Sequence, residues 1–322
     1  MPIPERLSFG YLLPTRDAVM FGRPAARPLL TLGEQAEQLG FEAIWAGDGA
    51  LARPRHDALL MLTALAARTE RATLATGVLL GALRPALLLA QAAASLDQIS
   101  EGRFVLGMGA GFPFPETERQ FAAVGVPYAG RVGRLAETIA AMRLLWDGAG
   151  KPVDFAGRHF SLEQTALEPQ PHTSGGPPVW LAGAGETAER RVGRIADGWL
   201  PYSPTPELYR EGLDRVRGAA AEAGRERAPM PGLYVTVALD PSPAVAEQRL
   251  SDYIQTYYGH PRELIGAIQA MYAGTPEGML DWLGPYLEAG ARHVVVRVAD
   301  DNPARGLQSA ARARELIVEQ QT

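Results

Sequence analysis

The 322-residue chain contains no cysteine. Disulfides, thiolate nucleophiles and cysteine-ligated metals are therefore excluded. A basic stripe is missing too: the formal net charge is −5, whereas duplex recognition needs clustered lysine and arginine, so no nucleic-acid partner is expected. Long hydrophobic runs are also absent. The longest apolar stretch, 85–96, is broken by Gln91 and Ser95 and falls short of the roughly 20 residues that cross a bilayer. The opening run MPIPERLSFGYLLPTRD sets Glu5, Arg6, Arg16 and Asp17 around a short apolar segment, too interrupted for a signal peptide. No membrane partner and a cytoplasmic location are expected. No H-E-x-x-H or similar grouping offers metal ligands, and no G-x-S-x-G elbow presents a serine nucleophile. Internal repeats and low-complexity tracts are lacking as well.

What is present is a long alternation. Hydrophobic residues make up 47% of the chain, enough for a large core, and the length suits one α/β barrel. Candidate strands run over 7–13, 43–46, 73–80, 104–108, 179–182, 198–202, 233–239 and 293–298. Several are apolar on both faces, as parallel strands covered by helices are. Helical periods lie between them. The clearest is GRVGRLAETIAAMRLLW, where Val132, Leu135, Ile139, Met142 and Trp146 recur at three- and four-residue spacing. The helix over 84–100 is apolar nearly all round, which points to cover on more than one side and to a homodimer. This pattern predicts an α/β fold of the (β/α)8 TIM barrel kind in one domain over 1–322, with a helical insertion late in the chain. The alternative is an open doubly wound sheet followed by a second domain. Excursions are expected over about 112–128, 147–178 and 244–290. Within 147–178, VDFAGRHFSL reads as a small hairpin. The stretch 244–290 reads as two or three helices that cover or shape the active face.

Two glycine-rich stretches stand at strand ends. VLGMGAGF, 105–112, nearly spells the dinucleotide fingerprint G-x-G-x-x-G, but Phe112 occupies the sixth position. The missing side chains at Gly107, Gly109 and Gly111 instead allow a ligand to approach the main chain, or serve a tight strand-to-loop turn. In the second stretch, Gly183, Ala184, Gly185, Glu186, Thr187 and Ala188 fit G-x-G-x-x-A after an apolar strand and before a helix. Free N–H groups and the helix dipole make this a phosphate cradle, unless it is an ordinary turn. Glu186 opposes an anion if its side chain does not point away.

Taken together, TLATGVLL, PALLLAQAAASLDQISEGRFVLGMGAG, GVPYAGRVGRLAETIAAMRLLW, PPVWLAGAGETAERRVGRIADGW and YLEAGARHVVVRV resemble the bacterial luciferase-like superfamily of flavin- and deazaflavin-dependent oxidoreductases. The resemblance runs over nearly the whole chain. It implies that the 5-deazaflavin coenzyme F-420 (F420) or FMN rests at the C-terminal ends of the strands. It further implies that Thr76, Gly77 and Val78 form a bulge behind the ring, often with a cis peptide. Gly109, Ala110 and Gly111 would pass beside the cofactor chain, Gly183 to Thr187 would take its phosphate, and Asp48 would lie near the ring's polar edge. Many members place a histidine directly after that acid. Here Gly49 stands there, so that proton-transfer role is not carried over.

Other proton donors are then sought. His260, with Tyr257 and Tyr258 in TYYGHP, offers a donor lining the substrate pocket, or else aromatic packing at a helix–turn. Tyr258, His260 and Asp48 are the catalytic candidates. His56 reads as a surface residue opening a helix. His159 and His172 read as exposed, and His293 as opening the last strand away from the chemistry. Arg131 and Arg134 read as a surface ion-pair network with Glu137. Arg297, a charge inside an apolar strand, is expected to face the barrel mouth or a partner, where it could meet the cofactor's anionic tail.

The expected reaction is hydride transfer with F420, or monooxygenation of a small organic substrate with reduced FMN delivered by a separate flavin or F420 reductase. The rivals are a non-catalytic flavin-binding barrel and an NAD(P)-dependent enzyme using 183–188. The latter needs a ribose reader near the next strand's end, where the chain has only PYSP at 201–204.

Overall fold

The computed structural model describes residues 6–320; the first five residues of the opening segment, Glu5 among them, lie outside these. The strands are β1 (Ser8–Leu12), β2 (Ala43–Ala46), β3 (Thr73–Thr76), β4 (Phe104–Met108), β5 (Val153–Ala156), β6 (Ser161–Thr165), β7 (Val179–Leu181), β8 (Gly198–Trp199), β9 (Met230–Leu239), β10 (Ala270–Gly274) and β11 (His293–Val298). The α-helices are α1 (Thr15–Met20), α2 (Ala26–Gln38), α3 (Ala58–Ala66), α4 (Ala86–Ile99), α5 (Pro115–Ala123), α6 (Arg131–Asp147), α7 (Glu186–Ile195), α8 (Pro206–Glu222), α9 (Pro243–Tyr258), α10 (Arg262–Gly266), α11 (Gly278–Glu288) and α12 (Pro303–Glu319). Parallel strands alternating with helices in this order make a (β/α)8 barrel fold. The eight expected strands are β1–β4, β7–β9 and β11. β2 and β4 bury every residue, as strands covered on both faces do.

Local chemistry sets the helix starts. Asp57 accepts the N–H groups of Leu59 and Leu60 at the head of α3. Thr205 and Asn302 cap α8 and α12, each with proline at the first turn.

The described residues form two compact units. One comprises those up to Trp45 and from Leu181 onward. Its sheet runs β10-β9-β11-β1-β2, with β8 also on β9. β9 is long enough to share one edge: β8 pairs with Met230 and Pro231, and β10 with Val235 to Leu239. β11 holds the other edge through Gly232 to Val237. β10 departs from the expectation of helices alone over 244–290. Its AMYAG run is too short to declare a period, and it is fixed by the free edge that β8 leaves. α7 and α8 pack closely because Gly193 lets the α7 backbone meet Val216, Ala219 and Ala220 of α8.

The other unit, Ala46–Trp180, pairs β3 with β4. The Leu106 N–H donates to the Pro178 carbonyl beside it. α4 packs on α6, where Trp146 Nε1 donates to the Ala90 carbonyl at 3.2 Å. Buried Asp97 accepts the Thr173 N–H at 2.7 Å. β5 and β6 form the expected antiparallel hairpin. α5 fills part of the 112–128 excursion. Among the described residues no helix is long and apolar enough to cross a membrane, and no group of His, Asp and Glu is placed to hold a metal.

Candidate active site

In the Ala46–Trp180 unit the candidate residues gather where β2, β3 and β4 end. β3 stops at Thr76, and the Gly77–Val78 peptide is cis. The ladder resumes one step later: Leu79 donates to the Gly107 carbonyl at 2.8 Å and its own carbonyl accepts the Gly109 N–H at 3.0 Å. The Thr76 hydroxyl also donates to Gly107 at 2.7 Å, and the Gly77 N–H to Ala46 at 2.8 Å. Residues 77 and 78 thus bulge from an otherwise continuous pairing. Gly111 has φ +82°, and a Cβ there would press on Thr117.

Asp48 is committed. Oδ1 accepts the Gly49 N–H at 2.9 Å and Oδ2 the Leu80 N–H at 3.1 Å, while Arg84 pairs with the carboxylate at 3.3 Å. Its carboxylate therefore ties the end of β2 to the segment just past the bulge. Arg84 reaches on to Asp57 at 2.8 Å. Sequence reading missed Arg84, and also Arg55, whose guanidinium lies where a Cβ on Gly47 would sit. Spacing carries no signal for either. Gln120 holds the loop that follows β2, accepting the N–H groups of Leu51 and Ala52. His56 directly precedes the cap of α3. Glu137 accepts the N–H groups of Arg158 and His159, and Arg131 stacks on Tyr128 at 4.0 Å. These contacts replace the expected network of Arg131 and Arg134 with Glu137. His172 is exposed and His159 half-buried.

In the other unit, Gly183, Ala184 and Gly185 lead from β7 into α7. Gly183 has φ +152° and Gly185 φ +86°, with open space where a Cβ on Gly185 would be. The first turn leaves backbone N–H groups without partners inside the helix. Glu186 pairs with Arg190 one turn on at 3.1 Å, so its charge is turned along the helix and away from the loop. Buried Glu189, missed from the sequence, accepts the Gly185 N–H at 2.9 Å and pairs with Arg215 at 2.5 Å. A carboxylate in the first turn behind a capping glycine was the available signal. Trp199 Nε1 donates to the Gly183 carbonyl at 2.8 Å.

Tyr258 ends α9. Its hydroxyl accepts from Arg297 Nη1 at 2.7 Å and donates to Gln269 Oε1 at 2.9 Å. The guanidinia of Arg16 and Arg297 lie over the Tyr257 ring at 4.3 and 4.2 Å. Burial pushes the Tyr234 phenol well above its usual range, with Arg297 pulling the other way, so it stays a neutral O–H donor. His260, two residues beyond Tyr258, is exposed on the turn after α9. At the head of β11, His293 Nε2 accepts from Trp45 Nε1 at 3.1 Å and Nδ1 lies 2.7 Å from the Ser8 hydroxyl. Burial lowers its pKa to about 4.

Residues 7–311 match the luciferase-like monooxygenase family model. The chain belongs to that family. Its members are flavin- and deazaflavin-dependent oxidoreductases, and this luciferase-like protein is an oxidoreductase among them. It is 30% identical, over 94% of its length and 95% of the relative's, to F420-dependent glucose-6-phosphate dehydrogenase 1 of Rhodococcus jostii (strain RHA1). Its fold matches an F420-dependent secondary alcohol dehydrogenase solved with an F420–acetone adduct: TM-score 0.81, 20% identity, 97% and 99% of the two chains. It also matches the oxygenating constituent of 3,6-diketocamphane monooxygenase from Pseudomonas putida in complex with FMN, at TM-score 0.79, 18% identity and 98% of both chains.

Proposed function

We propose that this luciferase-like enzyme uses F420 or reduced FMN on a small organic substrate, with Thr76, Gly77 and Val78 backing the ring. The observation that carries the reading is the bulge of bare main chain that interrupts β3, locked from behind by Thr76, Gly107 and the Asp48 carboxylate. A flat ring needs close, rigid backbone of this kind. Gly109, Ala110 and Gly111 offer the same low relief after β4. Gly183 to Thr187 take the phosphate: positive-φ glycines and the N–H groups of the first helical turn fit an anion, the Gly185 N–H being held by Glu189, and Glu186 is already turned aside by Arg190.

When bound, the coenzyme supplies hydride transfer (F420) or oxygen activation (FMN). The chain's own part is positioning. Asp48, with both oxygens engaged, holds the bulge and would lie at the ring's polar edge. Tyr258 is held by Arg297 and Gln269 on the substrate side, and His260 at the turn is a donor within reach of solvent. We further propose a homodimer, because Leu60 of α3 and Leu88 of α4 are 73% and 59% exposed, and a separate reductase where FMN is used.

Titrating the purified protein with F420 and with FMN, followed by cofactor fluorescence, tests the reading. Binding of one of the two is expected, weakened by Thr187→Ala and by Gly77→Val. No binding of either coenzyme sinks it.

A further inference from the structure

Arg297 is a charge without a countercharge. β11 buries all of its residues, and Arg297 is 6% exposed. Taking a guanidinium out of water is costly unless it is paired. Among the described residues no carboxylate forms an ion pair with it. Among the described residues its side chain donates one hydrogen bond, to Tyr258. Asp300, three residues on, is held by Arg305 at 2.7 Å and Arg249 at 3.5 Å. The remaining company is aromatic: the rings of Tyr257, Tyr234 and Tyr258 lie 4.2, 5.1 and 5.7 Å from its Cζ. Rings stabilise the face of the cation but leave its in-plane N–H donors unused.

A second, independent group points the same way. The Tyr234 hydroxyl belongs to a residue 2% exposed and has no hydrogen-bond partner among the described residues. A buried O–H left unsatisfied is costly. Strand register aligns Val295 with Tyr234 and Arg297 with Thr236, so these four share one face of the sheet. Thr236 accepts from the Gln269 amide, and Gln269 in turn accepts from Tyr258. That side of the network is closed. What stays open around Arg297, among the described residues, is its remaining N–H groups and the O–H groups of Tyr234 and Tyr253.

We infer that Arg297 and Tyr234 form a receptor for the carboxylate of a small organic acid. A planar, acceptor-only anion matches the edge of the guanidinium, and the Tyr234 hydroxyl supplies the further bond. Tyr258 is a positioning residue, holding Arg297 through its hydroxyl. That the acid is the substrate rests on the oxidoreductase reading; the receptor itself does not.

Calorimetric titration of the full-length protein with acetate and benzoate, with no coenzyme present, tests the receptor. Inorganic phosphate, F420 and FMN are titrated in parallel. Carboxylate binding is expected, weakened about tenfold or more by Tyr234→Phe and lost in Arg297→Gln, with coenzyme affinity unchanged in both variants. Tyr234→Phe keeps the ring and removes only an unpartnered hydroxyl, so it folds at least as stably as the parent. The inference is overturned if neither acid binds, if phosphate binds in their place, if Tyr234→Phe binds the acids like the parent, or if the two substitutions weaken coenzyme as much as carboxylate. Carboxylate binding with no coenzyme binding supports the receptor while the oxidoreductase reading fails.

Discussion

His293 shows what burial does to a single residue. The Ser8 hydroxyl donates to the Arg292 carbonyl, so it accepts from His293 Nδ1–H, and Nε2 is left to accept from Trp45. The Trp45 contact needs Nε2 unprotonated, and so the neutral ring. Burial lowers its folded pKa to about 4, against about 6.5 in the unfolded chain. Between these values the unfolded state takes up a proton that the folded state refuses. Stability is therefore full above pH 6.5 and is lost as pH falls toward 4. The linked loss is about 2 kcal/mol at pH 5. Urea melts at pH 8 and pH 5 are expected to differ by this amount more in the parent than in His293→Gln. From the sequence, His293 was legible as the residue that opens the last strand. Its clasp with Trp45 was not, because the two are brought together only by the pairing of β1 with β2 and β11.

Among the elements, α7 and α8 depend on one glycine. A Cβ at Gly193 would run into the Val216 carbonyl and the Ala219 methyl, and backbone cannot yield as a side-chain tip can. Gly193→Ala is expected to destabilise by about 1–3 kcal/mol. Gly218, exposed on α8 with open space about it, is the control: Gly218→Ala is expected to be neutral or to stabilise by up to about 1 kcal/mol. Chemical denaturation of both variants checks the pair. Elements with a full period were readable. α6 buries Leu135, Ile139, Met142 and Trp146, the stripe that its spacing announces. β10 was not readable, since five residues cannot show a period and its place is set by the edge of β9.

For the whole molecule the fold is expected to feel its coenzyme. A ligand that binds only the folded chain adds stability by mass action, about 3 kcal/mol at a hundredfold excess over its dissociation constant. Thermal melts with F420 and with FMN should rise with concentration for the coenzyme that binds and stay level for the other.

The sequence by itself determined the alternation of strand and helix, hence the barrel, and the family to which the chain belongs, because apolar period and glycine position are properties of neighbours along the chain. Only the tertiary structure decided which charges are spent and which are left over. Asp48 is consumed by Leu80 and Arg84, Glu189 by Gly185 and Arg215, and Arg297 is left facing tyrosines drawn from β9 and α9. Coulombic and hydrogen-bonding balance depends on separations of a few ångströms between residues far apart in the chain, and those distances exist only once the strands have paired.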